Sequence, residues 1–231
     1  MATSVFPEAF LPVSPIIMPR MLSRPHDRIN PGVVYSTAFL ERNMGTREVS
    51  WAILTEHTKS DSLRKHAVAV EILMRAYAAK YDEDVETWGM VGLLHDFDYE
   101  MYPTIPDHPL KGAAILRERG YPEDIIHAIC SHADAAAFPR NTLMARVLFA
   151  CDELAGFLTA SALVRPGKSI LGMEAKSVKK KLKDKAFARS VNREDILQGA
   201  GELGVDLEEH ITFCIQALEK RASDLGLDGT S

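Results

Sequence analysis

Apolar residues recur at helical spacing from residue 47 to the end of the chain, and no stretch there alternates like a β-strand or carries a hairpin signal. The pattern is strongest in "RNTLMARVLFACDELAGFLTASALVRPG", a long and nearly all-apolar segment that Arg165, Pro166 and Gly167 bring to an end. A segment so apolar on every side should run through a core. The sequence therefore predicts an all-α protein.

Shorter helical segments lie on both sides of this long one. Ser60 or Asp61 is a suitable cap for the segment that carries His66, while Asn192 and Asp206 suit the last two segments. Pro109 suits a first helical position and Gly120 a helix end. The shorter segments are REVSWAILTEHT, SDSLRKHAVAVEILMRAYAAKY, DEDVETWGMVGLLHDF, DHPLKGAAILRERG, YPEDIIHAICSHAD, SVKKKLKDKAFARS, NREDILQGAGELG and DLEEHITFCIQALEKRASDLG.

Composition narrows the class of protein. A chain of 231 residues with 46% hydrophobic content can build one domain with appendages, and its net charge of -5 argues against general affinity for nucleic acid polymers or anionic membranes. No apolar run is long enough to span a bilayer. Cys130, Cys151 and Cys214 lie far apart in apolar helical patterns, which favours buried thiols and a cytoplasmic location.

Histidine and aspartate residues stand at helix ends or in apolar segments along the first two thirds of the chain. Imidazole and carboxylate groups are ligands for divalent metal ions, and a carboxylate can bridge two ions. An acid inside an apolar helix also calls for a cationic partner. The six candidate ligands are His66, His95, Asp96, His108, His132 and Asp152. A second His-Asp pair, His26-Asp27, lies among prolines without a helical period and is not a candidate.

The order of these residues resembles the HD superfamily of metal-dependent phosphohydrolases, through "LRKHAVAVE", "LLHDFD", "HPLKGAAIL", "CSHAD" and "FACDEL". The resemblance implies a helical bundle in which His66, His95, Asp96 and Asp152 hold one ion, and in which His108 and His132 share Asp96 for a second. The sequence departs from the common "HDIGK" continuation and reads "HDFDYEMYP". Tyr99 therefore stands where that pattern has a Lys, and Asp98 is a possible replacement polar group.

The proline content, the resemblance and the charge pattern together divide the chain into three parts. Residues 1–45 are expected to form a poorly ordered Pro-rich leader, and Met44 could be the start of a shorter chain. Residues 46–165 are expected to form the HD-type metal-binding helical domain. Residues 166–231 would supply a basic segment and C-terminal helices packed on the same domain.

The expected activity is hydrolysis of a phosphate ester or anhydride, with a small phosphorylated metabolite or nucleotide favoured as substrate. One or two divalent ions would hold the attacking hydroxide beside the catalytic pair His95 and Asp96, and Mn, Fe, Mg, Zn, Ni and Co are not distinguished. Two divalent ions outweigh two carboxylates and a hydroxide, so the site would attract phosphate. Two alternatives remain open: an HD-type di-iron oxygenase of a small molecule and a non-catalytic nucleotide-binding sensor.

Several charged residues have weaker assignments. The run "KSVKKKLKDKAFAR" is read as a solvated face, although it could hold a substrate's phosphates. His127 stands five residues before His132, about 140° away around a helix, and is read as a non-ligand. His57 and His210 are read as surface residues. The candidate phosphate-binding residues are Lys111, Lys179, Lys180 and Lys181.

Overall fold

The computed structural model describes residues 46–133 and 138–229. Within these ranges the regular structure is helical, apart from one isolated antiparallel bridge between Ser169 and Asp228, so the prediction of an all-α fold is confirmed. The Pro-rich leader, Met44 and the His26-Asp27 pair lie outside the described residues.

Some helices follow one another directly, whereas the connections after Leu94, Cys130, Leu163 and Leu182 are longer. A single 3-10 turn, Pro166–Lys168, lies between the sixth and seventh of them. Numbered along the described chain, they are α1 (Arg47–His57), α2 (Asp61–Tyr81), α3 (Val85–Leu94), α4 (Asp107–Glu118), α5 (Glu123–Cys130), α6 (Leu143–Leu163), α7 (Ala175–Leu182), α8 (Arg193–Leu203), α9 (Leu207–Glu219) and α10 (Ala222–Leu225).

The helix ends follow the capping signals of the sequence. Ser60, Asn192 and Asp206 are the caps of α2, α8 and α9, and each side chain accepts a backbone N–H of the first turn. In α4, His108 has non-helical angles (φ -81°, ψ 130°), so the regular turns begin at Pro109 as predicted. His108 is therefore held at the junction of a loop and a helix.

The core forms around α2, α3 and α6. α2 packs against both α3 and α6, and α6 is buried along most of its length, as its apolar sequence predicted. All three cysteines are free and buried, which confirms that part of the prediction. Among the helices of residues 46–133 and 138–229, none has the combined length and apolar character needed to cross a bilayer.

His210 is not a surface residue, so its sequence-based assignment is wrong. It is 1% exposed, its Nδ1 accepts the Tyr77 hydroxyl at 2.5 Å, and its Nε2–H donates to the Ala150 carbonyl at 2.9 Å. These bonds join α9 to α2 and α6. His57 is likewise largely covered, and its ring packs edge-on against Phe97. Both side chains lie on helix faces that pack against the rest of the protein. Acidic residues next to them in the sequence had indicated exposed positions.

α8 lies against α6 at Gly199, and this contact allows a matched pair of substitutions. A Cβ at Gly199 would stand 2.6 Å from the Cα of Ala150, whereas one at Gly201 would meet nothing within 4 Å. We expect Gly199→Ala to lower the free energy of unfolding by about 1–3 kcal/mol. Gly201→Ala should raise it by up to about 1 kcal/mol, because alanine favours helix. Urea denaturation measures both, and equal effects would contradict the close packing.

Candidate metal centre

All six predicted ligands come together, although they arise from five separate places in the chain. Two overlapping groups form, and within each group one ligand atom per residue lies within 4.8 Å of every other. The first group is His66 on α2, His95 and Asp96 just after α3, and Asp152 on α6. The second group is Asp96, His108 at the start of α4, and His132 just after α5.

The first group surrounds a space between α2 and α6. Asp152 Oδ1 lies 2.9 Å from His66 Nε2 and 3.3 Å from His95 Nε2. The two imidazole Nε2 atoms are 3.3 Å apart. Asp96 completes the group, with its Oδ2 3.5 Å from His95 Nε2 and 4.0 Å from His66 Nε2.

The second group uses the other oxygen of the same carboxylate. Asp96 Oδ1 lies 3.3 Å from His108 Nε2 and 3.1 Å from His132 Nε2. The Nε2 atoms of His108 and His132 are 3.1 Å apart. Asp96 thus offers one oxygen to each group, which is the arrangement that a carboxylate bridging two ions requires.

Hydrogen bonds at Nδ1 set which ring nitrogen faces the site. His95 Nδ1–H donates to the Gly92 carbonyl at 2.8 Å, and His132 Nδ1–H donates to the Ile129 carbonyl at 2.5 Å. Because a carbonyl can only accept, each neutral ring carries its proton on Nδ1 and turns the Nε2 lone pair inward. Lone pairs and carboxylate oxygens at about 3 Å repel one another unless cations lie among them. The donor set therefore fits divalent metal ions.

The two carboxylates remain ionised in these surroundings. Before any metal binds, burial alone would raise the pKa of Asp96, but the positive charge of His95 in its protonated form and hydrogen bonds with His108 outweigh burial and lower the pKa well below the usual range. The pKa of Asp152 is also lowered, because the charge of His95 and a hydrogen bond with His66 outweigh its burial. Both oxygens of Asp96 are consequently available as ligands.

His108 differs from the expectation that a helix N-terminus disfavours its protonation. Burial lowers the pKa of His108, but hydrogen bonds to Asp96 and Asp98 outweigh burial and raise the pKa to about 9. Two carboxylates close to the ring therefore dominate over the dipole of α4. A metal ion at this position has to displace a proton from His108 when it binds.

Asp98 orients His108 from behind. Its side chain is 1% exposed, its Oδ1 lies 2.9 Å from His108 Nδ1, and its Oδ2 accepts the backbone N–H of Gly112 at 2.9 Å. A Cβ at Gly112 would stand 2.6 Å from the carboxyl carbon of Asp98, so that glycine leaves room for the acid. Asp98 is thus a positioning residue for the second group. The sequence indicated Asp98 only as a possible polar group in place of the Lys of the common pattern.

We expect Asp98→Ala to weaken binding of the second ion. Removal of a carboxylate that orients a ligating histidine typically lowers metal affinity ~10–100-fold. The first ion should bind as before, because Asp98 is in neither ligand group within the described residues. Metal titration by calorimetry measures both events, and Asp107→Ala, at an exposed acid beside His108, serves as the control. Equal affinities in the two variants would contradict the positioning role.

Five of the six candidate ligands line a cavity of about 480 Å³, and the sixth, His95, is fully buried behind them. Another part of its wall is acidic: Glu153 Oε2 accepts the backbone N–H of Asn192 at 3.1 Å, and Asn192 Nδ2 donates to Asp195 Oδ2 at 2.8 Å. Burial and the charge of Asp152 raise the pKa of Glu153 to about 7. The sequence placed Glu153 beside Asp152 in an apolar helix, and that position was the available signal for a second acid at the site.

The candidate phosphate-binding lysines do not line this cavity. Lys179 Nζ pairs with Glu208 at 2.7 Å, the ammonium of Lys181 lies 5.8 Å from the centre of the Phe187 ring, and Lys111 and Lys180 are exposed. A role for them in binding substrate stays a prediction.

His127 lies outside both ligand groups of the described chain. α5 ends at Cys130, so the helical angle between His127 and His132 does not apply to the structure. His127 is instead turned away by a hydrogen bond from its Nε2–H to the Pro139 carbonyl at 2.9 Å.

Comparison with known proteins bears on the same part of the chain. Residues 63–156, which include all six candidate ligands, match the family model described as HD domain. The chain is 33% identical over 101 residues to proteins named Ribonuclease Y from two strains of Nitratidesulfovibrio vulgaris, DP4 and Hildenborough. The aligned segment is 42% of this chain and spans 18% of the length of each of these relatives. No solved structure matches the chain significantly.

Proposed function

Because residues 63–156 match the HD domain family model, we propose that the chain is a metal-dependent hydrolase of a phosphate ester or anhydride, acting on a nucleotide-like substrate. The observation that carries the proposal is the position of Asp96, whose two oxygens face two separate groups of histidines. A carboxylate placed in this way holds two cations close together, which is the arrangement used to hydrolyse phosphate esters.

Each ligand has a defined role in the proposal. His66, His95 and Asp152 would hold the first ion, and His108 with His132 would hold the second, while Asp96 would contact both. Divalent ions at these positions would supply positive charge for a phosphate and lower the pKa of water from about 15.7 to near 7. The chain supplies the orientation, because the Nδ1 hydrogen bonds of His95, His108 and His132 fix the rings before any ligand arrives.

The proposed substrate class rests on the volume of the cavity, the net charge of the chain and the names of the matched relatives. A cavity of about 480 Å³ has the volume of a small-molecule site, and the net charge of -5 disfavours a nucleic acid polymer. The matched relatives are named ribonucleases, so a short oligoribonucleotide belongs among the compounds tested. Three free, buried cysteines support our proposal of a cytoplasmic location.

A screen of metal-loaded protein tests the proposal. The compounds should include phosphomonoesters, nucleotides and a short oligoribonucleotide, and each assay should run both under nitrogen and in air. We expect phosphate release, or cleavage of the oligoribonucleotide, that a chelator abolishes and added metal restores. Oxygen-dependent turnover in the absence of phosphate release would favour the di-iron oxygenase instead. Tight nucleotide binding without turnover, by protein that takes up no metal, would favour the sensor.

A further inference from the structure

Two parts of the cavity wall differ in the charge they would present to a substrate: the part formed by the candidate metal ligands, and the part that contains Glu153 and Asp195. Among the cavity-lining residues that the structure describes, no Lys or Arg is present beside the metal ligands, and the remaining polar side chains include Glu153, Asn192 and Asp195. Within this described lining, positive charge for a substrate would therefore come from the metal ions. If the phosphate of a substrate binds the metal ions, the rest of the substrate faces the carboxylates of Glu153 and Asp195.

Glu153 is held in place to face such a substrate. Its Oε2 accepts the N–H of Asn192, the residue that caps α8, while Oε1 makes no hydrogen bond within the described residues. Glu153 is not in either ligand group found there. In the ionised form of Glu153, Oε1 can only accept, so a group that meets it has to be a donor such as a hydroxyl or an ammonium.

The same wall should reject a second anion. A carboxylate or a further phosphate on the substrate would lie near Glu153 and Asp195 in a half-enclosed cavity, where charges are screened less than in bulk water. Like charges placed opposite each other are a common means of excluding a wrong ligand. A hydroxyl or ammonium group would gain a hydrogen bond at the same place.

We propose, resting on the proposed function, that the substrate is a phosphomonoester whose other end carries hydroxyl or amino groups, with Glu153 as the residue that accepts their hydrogen bond. Within the wider class of phosphate esters and anhydrides, polyphosphates and polynucleotides should bind more weakly than a phosphomonoester, because their additional phosphates would face the acidic wall. A nucleoside monophosphate, or another phosphate ester rich in amino or hydroxyl groups, offers a phosphate to the metal ions and a hydrogen-bond donor to Glu153.

Two small probes of equal length test this charge preference directly. Phosphoethanolamine and phosphoglycolate carry one phosphate each and differ in ending with an ammonium or a carboxylate. Calorimetry on the metal-loaded protein should show phosphoethanolamine binding at least about tenfold more tightly. Glu153→Gln should reduce that ratio several-fold without changing metal content. Glu194→Gln, at an exposed acid in the first turn of α8 that does not line the cavity, should leave the ratio unchanged.

The outcomes separate the inference from the function it rests on. If inorganic phosphate and both probes fail to bind the metal-loaded protein, the proposed function fails and the inference fails with it. If the probes bind with equal or reversed preference, or if Glu153→Gln keeps the wild-type ratio, the inference is wrong while the function stands. A loss of metal in Glu153→Gln would make Glu153 a ligand and also overturn the inference. If that variant does not fold, the wild-type ratio still tests the charge preference of the cavity.

Discussion

Asp96→Asn should abolish phosphate release by the metal-loaded protein. The substitution keeps the shape of the side chain but removes the charge that faces both groups of histidines, so it weakens the binding of two ions at once. Loss of a carboxylate that only orients a ligand typically costs ~10–100-fold in activity, and loss of a shared ligand should exceed that range. Phosphate release at saturating metal measures the effect.

Asp82→Asn is the matched control for this change. Asp82 is exposed and ends α2 with a positive φ of 59°, a conformation that asparagine accepts readily. It should keep full activity and the wild-type melting temperature. If Asp96→Asn retained activity within a few-fold of this control, the bridging role of Asp96 would be wrong.

His108→Ala should remove the second ion and lower phosphate release severely, while the first ion stays bound. The expected loss follows from charge, because one divalent ion beside two carboxylates leaves no net positive charge for a phosphate. His66→Ala should show the complementary defect, since its ring faces Asp152 at 2.9 Å in the first group. Metal titration of the two variants separates the two binding events.

His127→Ala is the control for both histidine variants. The His127 ring donates to the Pro139 carbonyl and packs edge-on against Phe138, away from the ligands. Its removal should leave metal titration and activity unchanged. If His108→Ala behaved like His127→Ala in both measurements, His108 would be a helix-start residue without a metal-binding role.

The fold was predictable because it depends on local signals. Helical periodicity located α6, and Ser60, Asn192 and Asp206 marked the starts of three other helices. The order of His and Asp residues indicated the ligands, and the match of residues 63–156 to the HD domain family supports that reading. Such signals are written in the nearest neighbours of each residue, so one sequence is enough to read them.

The contacts that complete the site were not predictable, because they join residues distant in the chain. Asp98 meets His108 and Gly112 only after the loop before α4 folds back. Glu153 meets Asn192 across 39 positions of sequence, which no local pattern records. The pKa of His108 was also not predictable from neighbouring residues. The helix dipole predicted a lowered pKa, but two carboxylates from the preceding loop outweigh burial and raise it.

The number of metal ions per chain tests the two-ion account most directly. Purified protein should be loaded with excess divalent metal, freed of unbound ions and analysed for metal and protein together. We predict two ions per chain for the wild-type protein, because Asp96 Oδ1 and Oδ2 face two separate histidine groups. A fully active wild-type protein that holds only one ion per chain would contradict the account.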